Sequence, residues 1–183
     1  YHIQRINGYL HTYQSGIYLP GYEPIERLMV QEIETLPRTK RNEVLDYIRI
    51  KANDSQAASP LLIAFKNGLF NVERNELLDF SPEQAVTNLI PWEYNPGAIC
   101  PLVDDVLDRL SCGDPEIRAL LEEVGGMCLY RDNTIGGGKA VILVGEKSNG
   151  KSTFIFMLQS MLGDYNVSTL DFKEVDSKFS TGM

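Results

Sequence analysis

Cysteine, histidine, positive charge and long apolar runs are all scarce in this chain, and each scarcity narrows its chemistry. There are three cysteines, Cys100, Cys112 and Cys128. Odd in number and without C-x-x-C spacing, they read as buried, reduced thiols of a cytoplasmic protein and argue against a metal site. The two histidines, His2 and His11, are too isolated to form a catalytic pair. No apolar stretch approaches the roughly 20 residues that a membrane helix needs, and no signal-peptide pattern opens the chain. The first residue is Tyr1, not Met, which predicts a piece of a longer protein. Basic residues number 17 against 25 acidic ones, a formal net charge of −8. Bulk charge therefore argues against strong nucleic-acid binding, although it leaves room for a local basic groove. The densest basic patch is Arg38, Lys40 and Arg41, followed by Arg49 and Lys51, and it reads as the solvated face of a helix. Hydrophobic residues make up 43% of the 183, enough for a real core in one domain or two small ones.

What is present is concentrated between Val141 and Leu162. Val141-Ile142-Leu143-Val144 reads as a buried β-strand, and Gly145-Glu146-Lys147-Ser148-Asn149-Gly150-Lys151-Ser152-Thr153 follows it. The spacing satisfies G-x-x-x-x-G-K-[ST], the phosphate-binding loop. Phe154, Ile155, Met157, Leu158, Met161 and Leu162 then fall at helical spacing, and Gly163 sits where a helix stops. Gly145 and Gly150 let the chain curl until successive N–H groups point at one place. The helix N-terminus adds about half a positive charge there. In this pattern Lys151 reaches the β- and γ-phosphates of ATP, Ser152 offers its hydroxyl to Mg²⁺, and Thr153 supplies a further hydroxyl near the α-phosphate.

Ahead of this loop the chain alternates strands and helices, predicting an α/β protein with an α+β N-terminal region. Tyr9–Tyr13 and Ile17–Leu19 form a predicted hairpin turning at Gly16. Its tyrosines are suited to packing on a neighbouring helix more than to stacking on bases. Helices are predicted from Pro24 to Leu36, ended by Pro37, and from about Thr39 to Ala52, with Val44, Leu45, Tyr47 and Ile48 inward. Residues 53–60 read as a loop or linker. Strands follow at Leu61–Phe65, Leu69–Val72 and Leu77–Phe80, the first two turning at Asn67-Gly68. Pro82, Pro91 and Pro96 mark an irregular passage in which Trp92 and Tyr94 anchor the loop onto the core. Two helices come next, Pro101–Leu110 and one capped by Asp114 with Pro115 at its first position. Ile117, Leu120, Leu121 and Val124 form the apolar face of the second. Residues 132–138 read as a flexible connector to the strand.

Four segments together resemble the phage, plasmid and poxvirus primase-helicase family, whose motor is a superfamily 3 helicase. They are Ile63-Ala64-Phe65-Lys66-Asn67-Gly68-Leu69-Phe70-Asn71, the passage from Pro91 to Pro101, the helix end Leu121-Glu122-Glu123-Val124-Gly125-Gly126-Met127-Cys128-Leu129, and Gly145–Thr153. The resemblance spans about residues 60–183 and is weaker before residue 60. It implies an accessory α+β region, about residues 1–98, leading into the helical lead-in and the start of an AAA+ α/β core at 99–183, with the boundary between 95 and 138. It also implies an ATPase, working with ATP and Mg²⁺ as a homo-oligomeric ring, a hexamer, that draws single-stranded or forked DNA through its centre. Such a motor serves the replication of a mobile element in the host cytoplasm. Gly145, Asn149, Gly150, Lys151, Ser152 and Thr153 match the family's loop.

The departures concern hydrolysis. Within residues 1–183 no later apolar strand ends in the paired acids that hold Mg²⁺ and polarise water. Asp171, Glu174 and Asp176 read as helix-start or surface groups, and Glu122 and Glu123 as solvent-facing. The family's sensor residue and arginine finger would lie past Met183. These residues alone are therefore expected to bind nucleotide weakly and not to turn over ATP. Nothing within them supplies the metal ligands of the primase that the family often carries upstream. A small-molecule kinase or other P-loop transferase is the main alternative. That class usually places its loop near the start of the chain and an arginine-rich lid after it, whereas no arginine follows Gly145 here. A non-catalytic docking module with nucleotide as a structural ligand is the third reading.

Overall fold

A computed structural model describes residues 1–131 and 139–170 of the chain. Among these residues it holds two small sheets, five α-helices and one short 3-10 helix in a mixed α/β arrangement. The first sheet contains β1 (Ile3–Ile6), β2 (Tyr9–Gln14), β3 (Ile17–Pro20) and β4 (Asn53–Ser55) in the order β3-β2-β1-β4. β1, β2 and β3 form an antiparallel meander, with the β2–β3 turn made by Ser15 and Gly16 at positive φ, as the hairpin pattern predicts. β4 lies parallel to β1 and is a correction, because residues 53–60 read as a loop. The polar triplet Asn53-Asp54-Ser55 lacks strand propensity. It is held instead by the ladder to β1 and by an ion pair, Arg5 Nη1 to Asp54 Oδ1 at 2.9 Å.

Between β3 and β4 run α1 (Glu23–Glu32) and α2 (Arg38–Lys51). α1 ends at Glu32, short of the expected Leu36, and Pro37 serves as the N-cap of α2. The inward side of α2 is also narrower than its apolar pattern suggests. Leu45 and Ile48 are half-buried, whereas Val44, Tyr47 and Ile50 are exposed. Of the basic patch, Arg38, Lys40, Arg49 and Lys51 are exposed, as expected of a solvated face. Arg41 is half-buried and ties the two helices through Glu26 and the Leu36 carbonyl.

The second sheet is an antiparallel meander of β5 (Leu62–Phe65), β6 (Gly68–Asn71) and β7 (Glu76–Leu78). The two sheets are joined by the irregular passage that follows β7. Tyr18 N donates to Val86 O at 2.8 Å, Ala58 N to Ala85 O at 3.0 Å, and Ile90 N to Ala64 O at 2.8 Å. Val86 is wholly buried and packs with Ile17, Ala64 and Leu69. Ala85 packs with Ile6 and Tyr18. A loop with its backbone groups paired to both sheets is thus the mortar of the core. Tyr94 behaves as an anchor, stacking on Phe70 with ring centroids 4.3 Å apart.

α3 (Pro101–Leu110) and α4 (Pro115–Met127) follow. Asp114 caps α4, its side chain accepting from the Glu116 and Ile117 amides at 2.9 and 3.3 Å. Arg118 of α4 binds Asp104 and Asp108 of α3 at 2.7 and 2.5 Å, and these charge-assisted bonds set the register of the pair. The cysteines depart from expectation. Cys100 and Cys112 are exposed and Cys128 is only partly buried, all three as free thiols. Cys100 sits at the N-cap of α3 and Cys112 in the α3–α4 turn at positive φ, positions that face water whatever the side chain. No helix among the described residues is long and apolar enough to cross a membrane. The connector at 132–138 and the acids Asp171, Glu174 and Asp176 lie outside the described residues.

Candidate functional site

The loop from Gly145 to Thr153 leads into α5 (Lys151–Leu162). The helix forms where its spacing predicts, and it stops at Gly163, at φ +80°. The strand before the loop does not form. Residues 141–146 carry no ladder hydrogen bonds, and Ile142 and Val144 are 82% and 88% exposed. A strand buried on both faces needs neighbours in a sheet, and neither sheet among the described residues includes these residues. The apolar run is therefore unpaired, and only Leu143 is partly covered.

The loop itself is curled. Ser148 and Gly150 both lie at positive φ, +61° and +91°. Lys151 folds back across the turn, its Nζ donating to Gly145 O at 2.9 Å, Glu146 O at 2.7 Å and Asn149 Oδ1 at 2.7 Å. One ammonium thus gathers three oxygens and uses all three of its donors. Both glycines are constrained by this shape. A β-carbon on Gly145 would run into the Asn149 amide that helps to hold Lys151, and one on Gly150 would come within 2.5 Å of Leu110 Cδ2. Gly150 is also the N-cap of α5, where positive φ favours glycine. Its carbonyl accepts from Phe154 N at 3.0 Å, so helical bonding begins there. The first amides of a helix have no acceptor within it, which leaves those of Lys151, Ser152 and Thr153 at the mouth of the loop.

The structure brings Gly145, Glu146, Asn149, Gly150 and Lys151 into one closed unit, with Ser152 and Thr153 exposed on the first turn of α5. Lys147 and Ser148 are exposed at the tip. Beside the loop lies an open cavity of about 240 Å³ bounded by Leu110 of α3, Ile117 and Leu121 of α4, residues 142–144, Asn149, Lys151 and Phe154. Loop-motif reasoning does not reach this cavity. Its helical walls are visible in the sequence only as apolar stripes, with no sign that they meet the loop. Phe154 is buried and seats α5 against this wall. Trp92 anchors the other end, its indole Nε1 donating to Ser160 O at 2.9 Å, so the passage after β7 also fixes α5. Glu122 and Glu123 are exposed, as expected, and Glu122 accepts from Arg118 Nε at 3.0 Å.

Comparison with known families matches residues 3–112 to the model described as D5 N terminal like. The matched segment covers both sheets, α1, α2 and α3, and begins well ahead of residue 60, where the sequence resemblance is weak. No curated protein matches the chain.

Proposed function

The chain belongs to the D5 N terminal like family, the N-terminal domain of phage and viral primase-helicase replication proteins, and on that premise we propose that its Gly145–Thr153 loop is the ATP site of a superfamily 3 helicase motor. In this reading residues 1–98 are the accessory region, and residues 99–183 hold the helical lead-in and the start of an AAA+ core. The observation that carries the proposal is the three-oxygen cradle around Lys151. It holds a cation beside the helix-start amides, where a bound polyphosphate would offer its oxygens in place of the loop oxygens. Ser152 would hold a Mg²⁺ ion, which would neutralise phosphate charge, and Thr153 would offer a further hydroxyl to the phosphates. In the complete protein the motor acts as a ring, a hexamer, on single-stranded or forked DNA, during replication of a phage, plasmid or virus-like element in the host cytoplasm.

Binding of a fluorescent ATP analogue with Mg²⁺ to the chain and to Lys151→Ala tests the reading. The expected result is saturable binding by the parent chain, and weakening of at least tenfold in the variant while its circular dichroism is unchanged. Equal binding by both, or none by either, refutes it. DNA-stimulated hydrolysis by a longer chain separates a helicase from a P-loop transferase.

A further inference from the structure

A second concavity, lined by charged and aromatic side chains, lies at the opposite end of the sequence. Arg5, Gly8, Tyr9, Leu10, Gly21, Tyr22, Arg49 and Ile50 bound a cleft of about 520 Å³, within the range of ligand pockets, roughly 300–1,000 Å³. Three elements converge there. The β1–β2 turn brings Gly8 and Tyr9, the β3–α1 turn brings Gly21 and Tyr22, and the last turn of α2 brings Arg49 and Ile50. The turns are locked together, since Gly21 N donates to Leu10 O at 2.9 Å, and Tyr9 and Tyr22 line the same cleft.

The tyrosines of the chain's first strands divide into two kinds. Tyr13 and Tyr18 pack on each other with ring centroids 5.2 Å apart, and Tyr18 is wholly buried. Tyr9 and Tyr22 are 72% and 48% exposed at the cleft, where no packing role accounts for them. The charges divide similarly. Arg5 is committed to the fold through Asp54 and the Arg49 carbonyl, and Glu23 is paired with Arg27 at 2.6 Å. Among the described residues the Arg49 side chain has no partner, and exposed Lys51 follows it at the end of α2. Two presented aromatic rings beside a free guanidinium, on a chain of net charge −8, make a local cationic stacking site against an unfavourable background.

We propose that this cleft binds single-stranded nucleic acid, with bases stacking on Tyr9 and Tyr22 and the phosphate backbone running over Arg49. Stacking on aromatic faces tolerates any base, and arginine engages phosphate through two parallel donors. The proposal rests on the family reading for its nucleic-acid context and is independent of the ATP loop.

Fluorescence anisotropy of a short labelled oligothymidylate with the 183-residue chain tests it, with an oligouridylate of equal length to compare the sugars. Binding of either probe is expected at low salt and to weaken as salt rises. Tyr9→Ala and Tyr22→Ala are each expected to weaken it roughly 5- to 150-fold. Tyr9→Phe retains the ring and is expected to retain binding. Arg49→Ala is expected to weaken binding and to lower the salt slope by about 0.7, the share of one single-strand phosphate contact. The fold tolerates that change because Arg5 uses the Arg49 carbonyl, not its side chain. Lys151→Ala is expected to leave oligonucleotide binding intact, which separates failure of the ATP reading from failure of this one. No binding of either probe, or binding by Tyr9→Ala, Tyr22→Ala and Arg49→Ala equal to that of the parent chain, each confirmed folded by circular dichroism, overturns the proposal.

Discussion

Phe154 is where the fold and the candidate loop depend on one side chain. Its ring is 4% exposed, on the first turn of the helix that the loop feeds. Phe154→Ala removes a volume of about 100 Å³, which at about 24 cal/mol per Å³ of void costs about 2.4 kcal/mol, and the lost transfer energy adds about 2 kcal/mol. The neighbouring 240 Å³ cavity is open, so water and the flanking side chains relax into part of the space. That places the expected cost at the lower end of the usual range for Phe→Ala, about 3 kcal/mol. For a domain of this size, the cost lowers the melting temperature by roughly 6–12 °C. The assay has a built-in reporter, because Trp92, the one tryptophan in the chain, is bonded to Ser160 near the far end of α5. If α5 loosens, Trp92 emission changes, and amides 151–162 lose hydrogen-exchange protection before the two sheets do. Phe154→Leu, which keeps most of the volume, is expected to cost less than about 1.5 kcal/mol. Unchanged melting, Trp92 emission and exchange in Phe154→Ala would falsify the idea that this ring seats the helix.

Two further outcomes concern polar groups wholly or partly withdrawn from water. Tyr18→Phe removes a hydroxyl that donates from a buried ring to the part-buried Pro82 O at 2.6 Å, and is expected to cost about 1 kcal/mol. A lower urea midpoint at unchanged m-value checks this, and an unchanged midpoint sinks it. Burial pushes the Cys128 thiol above its ordinary pKa, whereas Cys100 and Cys112 are exposed. Cys128 is therefore expected to be the last of the three alkylated by iodoacetamide, as read by mass spectrometry. The folded state favours the neutral thiol, so this contribution to stability is complete below the ordinary thiol pKa and is lost as pH rises through the raised one. Equal labelling rates for all three cysteines would contradict it.

The elements most legible in the sequence are those governed by local chemistry. The β2–β3 hairpin follows from alternation around Ser15-Gly16, α4 from Asp114-Pro115, and the stop of α5 from Gly163. The closed unit around Lys151 was legible as a loop because its spacing is itself the constraint. β4 was not legible, because a polar triplet becomes a strand only when β1 and Arg5 are there to receive it. The run 141–144 misled in the opposite direction, since apolar content makes a strand only when neighbouring strands accept its hydrogen bonds. Cys100 and Cys112 misled because a cysteine's usual burial yields to its place at a cap or in a turn.

By itself the sequence determined the mixed α/β class, most helix and strand positions, and the loop that leads into α5, all consequences of side chains a few positions apart. The tertiary structure decided which tyrosines are core and which are presented, which arginines are already paired, and that Leu110, Ile117 and Phe154 border one cavity beside the loop. Those facts depend on contacts between distant segments, and no local pattern encodes which apolar face meets which.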